Sequence, residues 1–211
     1  VLEPTEDFNV FRFQQMAKAA LEEIYAKGKI PIVVGGTGFY IQALLYDITF
    51  EETEESPYRK KLEQYAKING AHALHEQLKD IDPVSYQEIH ENNVKRVIRA
   101  LEFYHDTGYP ISTHNALERE KESPYNFAYF VLNDDRQKLY NRIEYRIDQM
   151  LEDGLVKEVQ SALAYGCTKE MVSMQGLGYK EIIPYLEGNC SLEDAVYILK
   201  RDTRHFAKRQ L

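Results

Sequence analysis

Ile30-Pro31-Ile32-Val33-Val34-Gly35-Gly36-Thr37-Gly38-Phe39-Tyr40-Ile41 is the stretch on which the reading of this chain turns. A β-branched apolar run meets two glycines, a threonine and a third glycine, and a helical pattern then begins. Continuous Ile and Val without alternation predicts a strand buried on both faces of a parallel sheet. Glycines at the carboxyl end of such a strand let the backbone approach a ligand, and the N–H groups that open the next helix favour an anion. In open α/β sheets, ligands bind at that edge. Gly35, Gly36 and Gly38 therefore predict a phosphate-handling turn with the Thr37 hydroxyl beside it. A tight strand-to-helix turn in which Thr37 only caps the helix fits the same residues. No G-x-x-x-x-G-K-[ST] occurs in the chain, so no Walker-type loop is present to hold a diphosphate.

Upstream of the turn, Val10, Phe13, Met16, Ala17, Ala20, Leu21 and Ile24 recur at helical spacing and Gly28 stops them. Helix, strand, helix is the order of an α/β unit. Downstream, a helix is expected over 38–46, and the acidic run 51–57 (EETEESP) predicts a loop and a boundary. Residues 57–116 read as short linked helices, one of them capped by Asn92 or Asn93 and stopped by Gly108. Residues 127–132 (FAYFVL) predict a second buried strand, followed by helices over 135–152 and 155–165. Ser191 with Asp194 predicts a capping box for the last helix. The expected organisation is an α/β core from 1–50 and 117–211, interrupted by an all-helical insert at 51–116.

Composition bounds the function. The 211 residues are 44% hydrophobic and 28% charged, as in ordinary globular chains. No apolar stretch approaches the ~20 residues that span a bilayer, and no secretory leader pattern opens the chain, so no membrane partner is expected. Cys167 and Cys190 make neither a disulfide framework nor a zinc pattern, which suits a reducing cytoplasm. A net charge of −8 argues against nucleic acid unless a local basic face outweighs it. Val1 in place of methionine, and a helical pattern still running at Lys208-Arg209-Gln210-Leu211, read as a fragment of a longer protein.

Such basic faces exist. Arg142 and Arg146 lie one helical turn apart at the edge of the stripe Leu139, Ile143, Ile147 and Met150. Partly desolvated guanidinium groups there would suit phosphate oxygens; ion pairs to Glu144, Asp148 or Asp153 are the alternative. Lys95, Arg96 and Arg99 gather opposite Val94, Val97, Ile98, Leu101 and Tyr104, and need either RNA phosphate or acidic neighbours to offset them. Lys200, Arg201, Arg204, Lys208 and Arg209, with His205 among them, face only Asp202 on the last helix, while Ala195, Val196, Leu199 and Phe206 point away. Gln175-Gly176-Leu177-Gly178-Tyr179-Lys180 joins a kinked backbone to donors and a stacking ring. Such a loop can read an unstacked base, or serve as an ordinary helix–helix turn. His90 and His105 have no partner at metal spacing, and no metal site is expected among the side chains.

Together the segments VGGTGFYIQALLYD (34–47), DPVSYQEIHENNVKRVIRALEFYHDTG (82–108), NRIEYRIDQMLEDGLVKEV (141–159), MQGLGYKEI (174–182) and LKRDTRHFAKRQL (199–211) resemble the tRNA dimethylallyltransferase, or tRNA isopentenyltransferase, family. They occur in the family's order and cover nearly the whole chain. The resemblance implies a P-loop-kinase-like core with a parallel sheet, and a helical insert that grips the anticodon stem-loop. It implies transfer of a dimethylallyl group from dimethylallyl diphosphate to N6 of the adenosine 3′ of the anticodon, with Mg2+ assisting diphosphate departure. The adenosine would be flipped out of its stack. By the same resemblance Thr37 matches the threonine beside the reacting centre, and Arg142 or Arg146 the arginine that holds the diphosphate. Arg59, Lys95, Arg96, Arg99, Gln175, Gly176, Gly178, Tyr179, Lys180, Thr203, Arg204, His205, Lys208 and Arg209 fall where the family contacts tRNA. A monomer is expected.

The family pattern also has a Walker-type loop and a G-D-S-x-Q-[VI]-Y stretch with the aspartate that serves as general base, and neither occurs in these 211 residues. The isolated chain is therefore expected to be catalytically inactive. A small-molecule P-loop kinase with a helical lid and a non-catalytic tRNA-binding module are the competing readings.

Overall fold

The computed structural model describes residues 2–50 and 56–210. In chain order its helices are α1 (Val10–Ala26), α2 (Gly38–Leu45), α3 (Pro57–Glu76), α4 (Leu78–Ile81), α5 (Pro83–Glu88), α6 (Val94–Thr107), α7 (Ile111–Arg119), α8 (Arg136–Glu152), α9 (Leu155–Ala164), α10 (Tyr179–Leu186) and α11 (Leu192–Gln210). They fall into two compact units, one of Val1–Ile41 with Phe127–Leu211 and one of Gln42–Asn126. Most of the expected acidic loop, residues 51–55, lies outside the described residues.

The first unit is built on α8 to α11. Ile147, Leu155, Val159, Met174, Ile182, Ile183, Ala195 and Leu199 are buried together, so each helix contributes one apolar stripe to a shared core. The starts of these helices were written locally. The Asp135 carboxylate accepts from the amides of Gln137 and Lys138, and the Ser191 hydroxyl accepts from the Asp194 amide, 3.1 Å away. In the same unit α1 begins at Asn9, whose side chain accepts from the Arg12 amide. Phe13 on α1 packs against Tyr40 on α2 with ring centroids 4.9 Å apart, and Phe8 closes the trio.

The second unit has its own core of Leu62, Leu74, Leu78, Val97, Ile98, Ala100 and Leu101, with α3 and α6 packed side by side. α3 bends at Gly70, whose φ of +87° suits glycine, and Gly108 ends α6 at φ +76°. Asp82 is buried and knots the short helices. It accepts from the amide and hydroxyl of Ser85 and from those of Ser112, at 2.6–3.1 Å. Burial opposes its charge, but those donors outweigh it and hold the carboxyl below its ordinary value.

The two expected strands differ from expectation. Residues 30–34 and 127–132 are non-helical and form no ladder among the described residues. Ile30, Val34 and Leu132 are 89%, 89% and 92% exposed, so the expected burial on both faces is not met. The physical reason is that a strand exists only through its neighbours. An apolar run with no paired backbone beside it and no helix layer over it stays open to solvent.

Candidate functional site

The glycine turn is held from two sides within the first unit. Tyr40, three residues past Thr37, is locked in the aromatic trio, and the Gln210 side-chain amide donates to the Gly36 carbonyl at 2.9 Å. The Thr37 carbonyl accepts from the amides of Tyr40 and Ile41, which starts α2. Its hydroxyl has no hydrogen-bond partner among the described residues, and the residue is exposed. Thr37 therefore begins the helix through its backbone and leaves its side-chain oxygen open to a ligand.

Arg142 and Arg146 are both exposed, which corrects the expectation that they are partly desolvated at the edge of the stripe. The wheel angle put them beside Ile143 and Ile147, but no helix among the described residues covers them. The acids on α8 are used differently from the expected alternative. Glu144 accepts from Arg204 at 2.6 Å and Asp148 pairs with Lys200 at 2.5 Å, so both tie α8 to α11. Arg142 lies 3.6 Å from Asp134, whereas Arg146 has no ion-pair partner among the described residues. No hydrogen bond joins either arginine to Thr37 among those residues.

The basic patch on α11 is smaller than its sequence suggests. Lys200 and Arg204 are engaged with α8, and Arg201 pairs with Asp202, which lowers the Asp202 carboxyl below its ordinary value. His205, Lys208 and Arg209 at the far end are exposed and have no such partner among the described residues. The Thr203 hydroxyl donates to the Leu199 carbonyl in its own helix. Phe206, expected on the apolar face, is exposed.

The loop before α10 is likewise partly occupied. A single 3-10 turn, Val172–Gln175, leads into it. The Gln175 side chain donates to the Lys169 carbonyl, and the Tyr179 hydroxyl donates to Glu158, which raises the phenol to about 12. Gly178 opens α10 at φ +103°, and its amide donates to the buried Glu181 carboxylate. Lys180 sits 3.6 Å from the other oxygen of Glu181. Gly176 is exposed. The backbone of this loop is thus fixed by its own side chains.

In the second unit, Arg59 donates from Nε and Nη2 to the two oxygens of Glu102 at 3.0 and 2.6 Å, and Arg99 Nη1 lies 3.6 Å from the same carboxylate. The Glu102 side chain is 1% exposed. Arg99 also stands over the Phe103 ring. Arg59 and Arg99 therefore lean on a buried acid, which corrects the expectation of an open cationic face at Arg99. Lys95 and Arg96 are exposed and keep no partner among the described residues.

No group of three or more His, Cys, Asp or Glu among the described residues could hold a metal ion. No helix of the described residues is long and apolar enough to cross a membrane.

Known proteins decide the family. The family described as IPP transferase matches residues 1–211. The chain belongs to the IPP transferase family. A tRNA dimethylallyltransferase of Lachnoclostridium phytofermentans is 60% identical over 210 residues, covering 99% of this chain and 67% of the relative. One from Acetivibrio thermocellus is 52% identical over 209 residues, covering 99% and 67%. The full-length tRNA isopentenylpyrophosphate transferase of Bacillus halodurans superposes with a TM-score of 0.65 at 40% identity, covering 100% of this chain and 65% of that one. A eukaryotic dimethylallyltransferase acting on tRNA gives a TM-score of 0.81 at 27% identity, covering 100% and 53%. The chain thus spans about two thirds of the length of these bacterial family members.

Within this IPP transferase chain, the partners of the basic residues are what sequence reasoning missed. Glu102 carried a signal, since it falls four residues after Ile98 on the buried side of α6. Glu144 and Asp148 were named only as partners of Arg142 and Arg146, but they meet Arg204 and Lys200 on α11, and Glu158 takes the Tyr179 hydroxyl from α10.

Proposed function

We propose that this chain forms the tRNA-binding part, and one wall of the reacting centre, of a tRNA dimethylallyltransferase. The observation that carries the reading is the family match over the entire chain, together with curated relatives of that name at 48–60% identity. The substrates are then dimethylallyl diphosphate and the anticodon stem-loop of a tRNA.

The C–O bond to the diphosphate breaks as the bond from adenine N6 to the allylic carbon forms, and N6 loses a proton to a base that these residues do not supply. Positive charge grows on the allylic carbon and negative charge on the departing oxygens. Arg146, exposed on α8 and free of an acidic neighbour among the described residues, is suited to those oxygens. The open Thr37 hydroxyl is suited to orienting the N6 amine, a weak nucleophile for which positioning matters. Lys95 and Arg96 on α6, and His205, Lys208 and Arg209 on α11, would meet RNA phosphates. Magnesium enters this proposal as an ion accompanying the diphosphate.

A second proposal concerns the core. Residues 30–34 and 127–132 are suited to a parallel, P-loop-kinase-like sheet in the longer protein, because their apolar side chains are too exposed here to be at rest. Amide exchange on the full-length protein should show both segments protected; rapid exchange at 32–34 would remove the strand reading.

The deciding experiment incubates the full-length protein with dimethylallyl diphosphate, magnesium and an unmodified anticodon stem-loop, and weighs the RNA. A gain of one dimethylallyl unit on the adenosine 3′ of the anticodon is expected. Tight RNA binding with no gain would favour a binding module instead. Thr37→Ala should then lower kcat by about ten- to a hundredfold, with tRNA affinity held within about twofold, while Thr37→Ser keeps most of the rate. Unchanged turnover in Thr37→Ala would remove Thr37 from the mechanism.

A further inference from the structure

α11 is fixed at three points along one face of the first unit. Lys200 pairs with Asp148 and Arg204 with Glu144, both on α8. At its last residue, the Gln210 side chain donates to the Gly36 carbonyl. The approach is close enough that a Cβ added at Gly36 would fall inside contact distance of the Gln210 amide nitrogen, whereas Gly35 and Gly38 have open space at the same position. Of the three glycines in the turn, Gly36 is the one whose missing side chain this packing uses.

The consequence is mechanical. α8 carries Arg142 and Arg146, and the turn carries Thr37. No hydrogen bond joins Thr37 to either arginine among the described residues, whereas α11 contacts both α8 and the turn. A 19-residue helix clamped to α8 at two ion pairs and to the turn at its end is a ruler between them. Gln210 is the link between ruler and turn. Its amide is a donor aimed at a backbone carbonyl, and it bears no charge of its own to hold phosphate.

We infer that Gln210 is a positioning residue that keeps the Thr37 turn in register with α8, acting through the Gly36 carbonyl and not on RNA. This rests on the transferase reading above. In the full-length enzyme, Gln210→Ala and Gln210→Glu both lose the donor, and each should lower kcat about tenfold with KM for the stem-loop within about twofold. Gln210→Lys restores a donor of sufficient reach and should recover kcat to within about threefold of the parent. Gly36→Ala should reproduce the loss, because its methyl displaces the same amide. The parent enzyme is measured first. If the parent transfers no dimethylallyl group, the transferase reading fails; if it does and Gln210→Ala matches it, this inference alone is overturned. A raised KM at unchanged kcat would also overturn it, by making Gln210 an RNA contact. A fall in kcat shared equally by the lysine variant would do the same.

Discussion

Glu102→Ala should destabilise the helical unit by about 3 kcal/mol, which for a unit of this size lowers its melting temperature by roughly 12–24 °C. The cause is a charge pair with one partner buried. Glu102 is 1% exposed on its side chain and accepts two hydrogen bonds from Arg59 on α3, with Arg99 at 3.6 Å on its own helix. Alanine would leave the Arg59 guanidinium without its bidentate acceptor, and would unfasten α3 from α6 across the seam that also buries Leu62, Val97 and Leu101. Loss of one partner of a fully buried pair is worth about 3–5 kcal/mol; the figure here sits at the lower end because both arginines are about one-third exposed and water screens them. Glu102→Gln keeps the shape and one acceptor oxygen and should lose about half as much. Thermal unfolding followed by circular dichroism measures both variants. Melting temperatures equal to the parent's in both would show that the carboxylate contributes nothing to holding α3 on α6.

The helices were legible because their information is local. Ser191 announces the start of α11 within three residues of the amide it satisfies. Gly108 announces the end of α6 through the one backbone conformation it tolerates better than other residues. The stripes on α8 and α6 are legible for the same reason, since Ile143, Ile147, Val97, Ile98 and Leu101 repeat at the helical period and all join a core. Segments 30–34 and 127–132 were expected as strands from composition alone, and neither forms one among the described residues. Pairing is non-local, and their exposure here shows that residues suited to a sheet do not supply its other strands.

The candidate site was legible as a set of residue types and not as a set of free charges. A helical wheel groups Lys200, Arg201, Arg204, Lys208 and Arg209, but it cannot see that Glu144 and Asp148 arrive from a helix more than fifty positions earlier. Those pairings remove Lys200 and Arg204 from the ligand-facing set and make them fasteners of α11. The same holds for Tyr179, whose hydroxyl donates to Glu158 on α9. That leaves a narrower set of cations, and those without an ion-pair partner among the described residues lie on the same helices that the sequence singled out.

That narrowing also separates two arginines that the sequence left equivalent. Arg146→Ala should lower kcat about a hundredfold, and Arg142→Ala about tenfold or less. Both lie on the exposed face of α8, one turn apart, but Asp134 stands 3.6 Å from Arg142 and offsets part of its field. Arg146 has no acid beside it among the described residues, so its full charge and its fork of donors remain available to oxygens that become more negative as the allylic bond breaks. An interaction that strengthens along the reaction raises kcat, so its loss should show there and not only in KM for the diphosphate. Arg146→Lys keeps the charge without the two-pronged geometry, and an intermediate rate is expected from it. Asp134→Asn makes the comparison sharper: releasing Arg142 from its neighbour should tighten diphosphate binding modestly if Arg142 is near the site at all. Steady-state rates at varied dimethylallyl diphosphate and saturating stem-loop measure all four variants. If Arg142→Ala is the more damaging, the unpaired charge is not what selects the phosphate ligand, and Asp134 must be orienting Arg142 toward it.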